Sequence, residues 1–267
     1  MIDYHIHTKL CGHATGEMEQ YVERAIEIDL SEIGFSDHLP FVDFERPGFA
    51  MSLSQLPFYV QKVDKLREKY PNITIRSGIE VDYFPHLEHK IAALLDQYTF
   101  DYVYGSVHFI DDWTFDSPDA LPEWNLADIN QVWEQYIGLL HQAAESGLFD
   151  IMSHLDLVKI YGFRPTRDLL PQWESLMKCL KENGLATEIN TRGLRKPVGE
   201  IYPSEKILAL IKKYEIPIVF GSDAHAPEEV GRDFDKASEL ALKYGINTVA
   251  QFEQRQLINH ISVFSNI

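Results

Sequence analysis

The sequence is poor in cysteine, in basic residues and in long apolar runs. Cys11 and Cys179 are the only two cysteines among 267 residues, so a disulfide framework is not expected and a reducing compartment is the default. No apolar run approaches the roughly 20 residues that span a bilayer. No basic, apolar signal segment precedes the first predicted strand. These absences predict a soluble, cytoplasmic protein that does not interact with membranes.

The shortage of basic residues bears on the partners of the protein. The chain has 24 Lys and Arg against 41 Asp and Glu, which gives a formal net charge of −17. Proteins that bind nucleic acid need a basic face, so no nucleic-acid partner is expected. A small anionic substrate is compatible with this charge if bound cations invert the local field, and a positive group on the substrate would suit an acidic rim. The sequence does not indicate the oligomeric state.

What the chain does contain is a regular alternation of short β-rich segments and amphipathic helical patterns. Such alternation is typical of parallel βα units. The strands are predicted at residues 2–6, 32–36, 73–81, 102–107, 149–153, 185–190 and 216–221. The helices are predicted at about 17–30, 52–70, 85–97, 129–146, 170–183, 204–214 and 227–244. Two long loops, 39–51 and 109–127, interrupt the pattern, and the stretch up to residue 267 is expected to add a strand and a short helix.

This order of elements predicts the fold class. Seven βα units fit a closed α/β barrel of the TIM type that is one unit short of the usual eight. An apolar content of 45% is enough for a full core. We therefore expect a single barrel domain over residues 1–267.

The first predicted strand carries the first chemical signal. His5 and His7 alternate along it and so face the same side, where two imidazoles can hold one metal ion. His13 lies in the loop that follows and can reach the same place. In isolation the pattern would also fit three unrelated histidines, but other strand ends repeat it.

Six of the seven predicted strands end in a residue that commonly binds metal, and the carboxyl ends of barrel strands are where active sites form. The candidate ligands are His5, His7, His13, His38, Glu80, His108, His154, Asp223 and His225. One zinc ion takes four ligands, so nine residues require two or three ions, and a carboxylate can bridge two of them. Mixed imidazole and carboxylate ligands suit Zn, Mn or Fe(II).

The other residues that could bind metal, Cys11 and four further histidines, are not expected to do so. Cys11 is close in sequence to the candidate ligands, but a small buried thiol is the favoured assignment. Four other histidines lie on predicted helices or in the tail and are assigned to solvated surfaces: His86, His89, His141 and His260.

Short motifs surround the candidate ligands at the strand ends. They are His5-x-His7, Ser36-Asp37-His38, Gly78-Ile79-Glu80, Gly105-Ser106-Val107-His108, Ser153-His154 and Gly221-Ser222-Asp223-Ala224-His225. In order and spacing these motifs resemble those of the polymerase-and-histidinol-phosphatase (PHP) superfamily over essentially the whole chain. Cys11-Gly12-His13 and the segment 189–196 are similar to the histidinol-phosphatase branch.

The resemblance implies a distorted TIM-like (β/α)7 barrel with a trinuclear metal site. Its ligand groups would be His5, His7, Glu80 and Asp223 for one ion, Glu80, His108 and His154 for the second, and His13, His38 and His225 for the third. The implied enzyme is a metal-dependent phosphomonoesterase that hydrolyses L-histidinol phosphate to L-histidinol and phosphate in histidine biosynthesis.

Two alternatives stay open at this stage. A phosphoesterase of the same superfamily could act on nucleotides, short oligonucleotides or phosphotyrosine instead. A protein that binds metal without turnover is the third interpretation, and the loss of a bridging carboxylate would support it. Glu80 and Asp223 are both present, which favours an enzyme.

The predicted mechanism follows from the chemistry of divalent ions. They bind phosphoryl oxygens and lower the pKa of a bridging water, and the resulting hydroxide can attack phosphorus in line. Glu80 is predicted to bridge two ions. The alcohol leaving group needs a proton or a metal contact, and either Asp223 or a histidine of the third ion, such as His225, could supply the proton.

Substrate contacts are predicted in the segments that follow the strands. Arg164 follows the fifth strand, and Arg192 and Arg195 follow the sixth; an arginine fork suits a phosphate oxygen. Carboxylates of the two long loops could pair with a substrate ammonium group, and the candidates are Asp43, Glu45, Asp111, Asp112 and Asp116. An ordinary surface position is the alternative for each of these residues.

Overall fold

The computed structural model describes residues 1–263, and in it seven parallel strands alternate with helices. The strands are β1 Ile2–Asp3, β2 Glu32–Phe35, β3 Thr74–Asp82, β4 Tyr102–Ser106, β5 Ile151–Met152, β6 Ala186–Asn190 and β7 Ile218–Gly221. They form one sheet in this sequence order, and every neighbouring pair is parallel. Parallel neighbours need a crossover connection, which the intervening helices provide.

The sheet curves until its last strand returns to its first. The backbone N–H of Tyr4 donates to the carbonyl of Phe220 at 3.0 Å, and that of His7 donates to the carbonyl of Ala224 at 2.9 Å. These bonds lie just beyond β1 and join it to the β7 side. The result is a nearly closed (β/α)7 barrel, which confirms the predicted fold.

Eight α-helices connect or cover the strands within the described residues. They are α1 Met18–Glu27, α2 Leu56–Lys69, α3 Glu88–Leu95, α4 Leu121–Trp124, α5 Ile129–Glu145, α6 Leu170–Glu182, α7 Glu205–Tyr214 and α8 Phe234–Lys243. Each long helix buries one face against the barrel; in α1, for example, Tyr21, Val22 and Ala25 are buried. Among residues 1–263 no helix combines the length and the apolar character needed to cross a membrane.

Several predicted boundaries were wrong for local reasons. The predicted helix 227–244 is split into a 3-10 turn at Pro227–Glu229 and α8, because Gly231 and Asp233 adopt positive φ angles of 63° and 61°. The predicted helix 85–97 likewise begins with a 3-10 turn at Pro85–Leu87. The loop 109–127 is not structureless, since it contains α4 and a hairpin of two-residue strands.

The end of the chain forms more strand than predicted. Two antiparallel strands, β8 Thr248–Glu253 and β9 Gln256–Ser262, form a hairpin. The backbone N–H of Arg255 donates to the carbonyl of Asp101 at 2.8 Å, so the hairpin lies at the amino-terminal end of the barrel. The short helix expected at the end of the chain lies outside the described residues.

Aromatic side chains fill the barrel between its two ends. The rings of Tyr4 and Tyr102 stack with centroids 4.6 Å apart, and the hydroxyl of Tyr102 donates to the carbonyl of Tyr4 at 2.6 Å. Gly34 and Gly78 leave the space that the Tyr102 ring occupies. Because the interior is filled, a ligand site can form only at an end of the barrel.

Candidate metal centre

The nine predicted ligands converge at the carboxyl-terminal end of the barrel. Seven of them are buried, while His225 is half-buried and His13 is exposed. All except His5, which lies behind them, line a cavity of about 540 Å³. A cavity of this size matches small-molecule sites, which span roughly 300–1,000 Å³.

Glu80 lies at the centre of the cluster, and its two oxygens face different groups of imidazoles. Oε2 is 3.3 Å from Nε2 of His5 and 3.4 Å from Nε2 of His7. Oε1 is 3.3 Å from Nε2 of His154 and 3.7 Å from Nε2 of His108. A carboxylate arranged in this way can bridge two ions.

These separations match the spacing of ligands around a metal ion. Metal bonds of about 2.1 Å in a tetrahedral site place neighbouring ligand atoms about 3.4 Å apart. Nε2 of His7 is also 3.4 Å from Oδ1 of Asp223. Nε2 of His5, a buried nitrogen, has no hydrogen-bond partner among the described residues. The donor set therefore fits divalent metal ions.

A third group of imidazoles lies at the mouth of the cluster. The ring centroids of His13 and His225 are 4.7 Å apart, and those of His13 and His38 are 5.7 Å apart. His7 lies between this group and Glu80, with its ring centroid 4.1 Å from that of His225. The structure thus brings all nine predicted residues together in one cluster, and several sets of three among them, such as His5, Glu80 and His154, could hold an ion.

The outward ring nitrogens of several ligands have protein partners. Nδ1 of His108 lies 2.7 Å from Oδ1 of Asp82, and Nδ1 of His225 lies 3.0 Å from the carbonyl of Asp223. Partners of this kind fix the tautomer and the orientation of a metal-binding imidazole. Nε2 therefore faces the cluster in these residues, whereas His38 presents its Nδ1, 3.4 Å from Glu80.

Glu188 is the most completely buried of these partners, and the sequence analysis missed it. Its Oε2 lies 2.9 Å from Nδ1 of His5. Its Oε1 accepts from the backbone N–H of His154 and from Nδ2 of Asn190, both at 2.8 Å. Gly221 makes room for this packing, because a Cβ there would lie 2.7 Å from Cβ of His5. One carboxylate thus contacts the two ligands that follow β1 and β5.

Burial and neighbouring charges shift the pKa values of the cluster residues in different directions. Burial alone would raise the pKa of Glu80, but the charge of His5 outweighs it and holds the pKa of Glu80 well below its usual value. Burial lowers the pKa of His38 well below its usual value. In His108 the Asp82 carboxylate overcomes burial and raises the pKa to about 10. Metal binding must therefore displace protons, which makes metal affinity depend on pH.

Asp223 has an unusual backbone conformation. Its φ of 53° lies in the left-handed region, which a residue with a side chain rarely occupies. Such conformations occur at functional sites, where the surrounding structure holds them in place. Burial favours the neutral carboxyl, but His5 and Arg192 hold the pKa of Asp223 well below its usual value.

The positions of Cys11 and of the histidines outside the nine predicted ligands fit residues that take no part in catalysis. Cys11 and Cys179 are both free and buried. The Cys11 thiol is within 4.8 Å of ligand atoms of His7 and His225, but burial raises its pKa well above the usual range, which favours the poorly coordinating neutral thiol. His86 and His89 are exposed near the start of α3.

The three predicted phosphate-binding arginines occupy different places. Arg192 lines the cavity and donates to the carbonyl of Asp223 at 2.6 Å. Arg195 lies behind it and donates to the carbonyl of Ser222 at 2.7 Å. Arg164 pairs with Glu200 at 2.7 Å and lines a separate groove. The structure therefore brings one of the three to the cavity.

Lys196 is a cavity residue that the sequence analysis did not select. It lines the same space as Arg192, and its ammonium makes no hydrogen bond or ion pair with the described residues. Burial and the nearby charge of Arg192 lower its pKa. The signal that was available in the sequence was its place next to Arg195 in the segment 189–196.

Of the five acidic loop candidates, only Asp116 lines the cavity. Its buried Oδ1 has no hydrogen-bond partner among the described residues, while its carbonyl accepts from Tyr161 at 2.8 Å. Asp43 pairs instead with Lys90 at 2.5 Å on the surface. The loop 109–127 thus presents the carboxylate of Asp116 to a ligand in the cavity.

Comparison with known proteins places this geometry in a family. The PHP domain model matches residues 3–192, and the PHP-associated model matches residues 203–239. A probable histidinol-phosphatase of Deinococcus radiodurans is 36% identical over 96% of this chain and 98% of its own length. The histidinol-phosphatase of Bacillus subtilis is 30% identical over 87% of this chain and 96% of its own.

A solved structure shows the same architecture. It is histidinol phosphate phosphatase from Lactococcus lactis subsp. lactis Il1403, complexed with zinc, L-histidinol and phosphate. The two structures align with a TM-score of 0.78 and 25% identity, over 97% of this chain and 98% of the other. The converging strand ends, the position of Glu80 between two groups of imidazoles and the family match over most of the chain agree: this chain belongs to the PHP domain family.

Proposed function

We propose that this chain is a metal-dependent phosphomonoesterase that hydrolyses L-histidinol phosphate to L-histidinol and phosphate, a step of histidine biosynthesis. The single observation that carries the proposal is Glu80, whose two oxygens face separate groups of imidazoles on the floor of a small-molecule cavity. The similarity of this chain to histidinol-phosphatases over nearly its full length supports the choice of substrate.

The ligand groups support three divalent ions, with Zn, Mn and Fe(II) as the candidates. The proposed groups are His5, His7, Glu80 and Asp223 for the first ion, Glu80, His108 and His154 for the second, and His13, His38 and His225 for the third. When bound, divalent ions offset the charge of the phosphoryl oxygens and lower the pKa of a nucleophilic water.

Cationic residues at the wall of the cavity would hold the phosphate. Arg192 and Lys196 already line it, and the free ammonium of Lys196 can pair with a phosphoryl oxygen. Arg164 and Arg195 stay predicted contacts, which would require their present partners, Glu200 and Ser222, to be exchanged for substrate. Holding the phosphate orients the ester for in-line attack.

Asp116 would select the substrate amine. Its buried Oδ1 needs a hydrogen-bond donor, and the ammonium of histidinol phosphate is one. A charge-assisted contact of this kind adds affinity at a distance from the reacting phosphorus, where it orients the ester.

Asp223 and His225 are the proposed proton donors for the leaving alcohol. Because the pKa of Asp223 lies well below its usual value, Asp223 would have to accept a proton from the attacking water before it donates one. Both line the cavity, and His225 is itself a proposed ligand of the third ion. Nδ1 of His225 lies 3.4 Å from Oδ1 of Asp223, so the two side chains are neighbours.

Two further proposals concern the whole chain. We propose that it forms a single domain over residues 1–267, because β7 completes the barrel that β1 begins. A cytoplasmic location stays a prediction that rests on the scarcity of cysteine.

The test is a turnover assay on a panel of phosphate esters after loading with Zn, Mn or Fe(II). We expect L-histidinol phosphate to give the highest kcat/KM of the panel. A higher value for nucleotides, short oligonucleotides or phosphotyrosine would move the chain to another substrate class within the family. No hydrolysis with any of the metals would reject the enzymatic assignment.

A further inference from the structure

Tyr202 lies at the edge of the cavity, in a position fixed by its backbone. Its N–H donates to the carbonyl of Asn190 at 2.9 Å, and the N–H of Asn190 donates to the carbonyl of Tyr202 at 2.7 Å. Asn190 is the last residue of β6, so this two-bond bridge attaches Tyr202 directly to the barrel rim. The residue therefore belongs to the rigid part of the site.

The ring of Tyr202 is held on two further sides. A Cβ at Gly193 would lie 3.0 Å from the ring, so the glycine allows a close approach. The ammonium of Lys159, which is fully buried, lies 5.2 Å from the ring centroid and is itself bound to Asp156 at 3.0 Å and to the carbonyl of Ile201 at 2.8 Å. These contacts orient the ring but do not use its hydroxyl.

The hydroxyl is the only part of this side chain without a partner. It is buried and makes no hydrogen bond with the described residues. A buried phenol without a partner is costly, so its retention requires an explanation. Because the side chain lines the cavity together with His154 and Asp223, a ligand bound there can supply the partner.

The neighbourhood of the hydroxyl indicates the chemistry of that ligand. The same cavity presents the cations Arg192 and Lys196 beside the carboxylates of Asp116 and Asp223. The two cations, together with metal ions held by the proposed ligands, would favour an anion. Tyr202 is also close to the proposed ligand His154, with ring centroids 6.3 Å apart. A phenol O–H is a suitable donor to a phosphate oxygen held at such a place.

We infer that Tyr202 is a substrate-contacting residue whose hydroxyl donates a hydrogen bond to a phosphoryl oxygen of the bound ester. The inference rests on the proposed phosphatase function, but it concerns the phosphoryl group alone. It applies equally to the substrate and to the inorganic phosphate product. It therefore does not depend on which alcohol the ester carries.

The test is the substitution Tyr202→Phe in the zinc-loaded protein. This change keeps the ring and its contacts with Gly193 and Lys159 and removes only the hydroxyl. Loss of a hydrogen bond to a charged group costs about 10- to 100-fold in affinity. We expect the Kd of inorganic phosphate, measured by calorimetry, to rise by this factor, and kcat/KM for p-nitrophenyl phosphate to fall similarly. Zinc content should stay at the wild-type value, and the Tm of the phosphate-free protein should stay there or rise, because the hydroxyl that is removed has no partner.

Tyr59→Phe is the matched control, because Tyr59 is fully buried and its hydroxyl donates to the carbonyl of Gly78 at 2.8 Å, away from the cavity. The control should leave phosphate affinity unchanged. An unchanged phosphate Kd in Tyr202→Phe would overturn the inference. A loss of zinc or a failure to fold would also overturn it, since an unpartnered hydroxyl should support neither.

These outcomes separate the inference from the proposed function. Wild-type protein that hydrolyses L-histidinol phosphate while Tyr202→Phe binds phosphate normally would refute the role of Tyr202 alone. Wild-type protein that prefers another ester, together with weakened phosphate binding by Tyr202→Phe, would refute the choice of substrate and support Tyr202.

Discussion

The two ends of the barrel both bury carboxylates, but they neutralise them in different ways. At the amino-terminal end each carboxylate meets an arginine. Arg76 contacts Glu32 at 2.7 Å, and Arg67 contacts Asp101 at 2.6 Å. At the carboxyl-terminal end, the oxygens of Glu80 meet imidazole nitrogens at 3.3 to 3.7 Å.

The difference distinguishes structural charge from functional charge. A guanidinium is always cationic and makes direct hydrogen bonds, so an arginine pair is complete without any other ligand. Imidazoles at metal-ligand spacing around a carboxylate offer lone pairs as well as charge, which suits a cation shared among them. Buried charge alone therefore does not identify an active site, whereas the type of partner does.

Glu80→Gln should have the largest effect on the site at the carboxyl-terminal end of the barrel. An amide cannot bridge two cations as a carboxylate does, so metal should be lost from two of the three ligand groups. We expect kcat to fall by at least about a hundredfold, because even an outer partner of a metal ligand contributes about 10- to 100-fold. Kinetics and elemental analysis of the purified variant provide the measurement.

His86→Ala is the control for this substitution, since His86 is exposed and lies outside the cavity. It should leave both kcat and metal content at wild-type values. Comparable losses in the two variants would show that Glu80 has no special role.

The substitution Glu188→Gln tests the layer behind the ligands. Oε1 of Glu188 accepts two hydrogen bonds, and its Oε2 lies 2.9 Å from Nδ1 of His5. In glutamine one of these oxygens becomes an NH₂ group that faces another donor. We expect metal affinity or kcat/KM to fall by about 10- to 100-fold. Full activity with unchanged metal affinity would show that His5 is oriented without Glu188.

The substitution Asp116→Asn should change specificity but not chemistry. If Asp116 binds the substrate ammonium, its amide should lower kcat/KM for L-histidinol phosphate by about tenfold or more, the equivalent of roughly 1.5–3 kcal/mol. Hydrolysis of p-nitrophenyl phosphate, which has no amine, should barely change. Asp43→Asn is the control, because Asp43 pairs with Lys90 outside the cavity. An equal loss on both esters would place Asp116 in the phosphate chemistry instead.

The substitution Asp101→Asn should affect only the amino-terminal end of the barrel. Asp101 accepts from Arg67 at 2.6 Å and from the backbone N–H of Ser77 at 2.8 Å. Weakening these bonds should lower the free energy of unfolding by about 1–3 kcal/mol. Chemical denaturation measures this change, while kcat/KM of the metal-loaded protein should stay constant. A large loss of activity would mean that the two ends are not independent.

The sequence predicted which side chains converge at the rim, because the fold itself dictates where strand ends meet. His38, His108 and His154 could be selected from position alone, since parallel strands bring their carboxyl ends to one rim. Asp82 was also within reach, because it follows Glu80 by two residues on β3 and so faces the same side. The alternation of strands and helices was enough to predict the barrel.

The parts that could not be predicted depend on contacts between distant segments. Glu188 is a partner of His5 across 183 residues, and nothing in its local pattern shows this pairing. The choice of Asp116 among five acidic candidates, and of Arg192 among three arginines, depends on how the loops turn. The only hint was that Glu188 is the one charged residue of the predicted strand 185–190.

The number of metal ions per chain tests the central claim most directly. Protein treated with a chelator would receive Zn or Mn in steps, with bound metal measured by elemental analysis and L-histidinol phosphate turnover measured on the same samples. We predict that metal content and activity both level off near three ions per chain. Full activity with saturation at one ion per chain would contradict the trinuclear site built around Glu80.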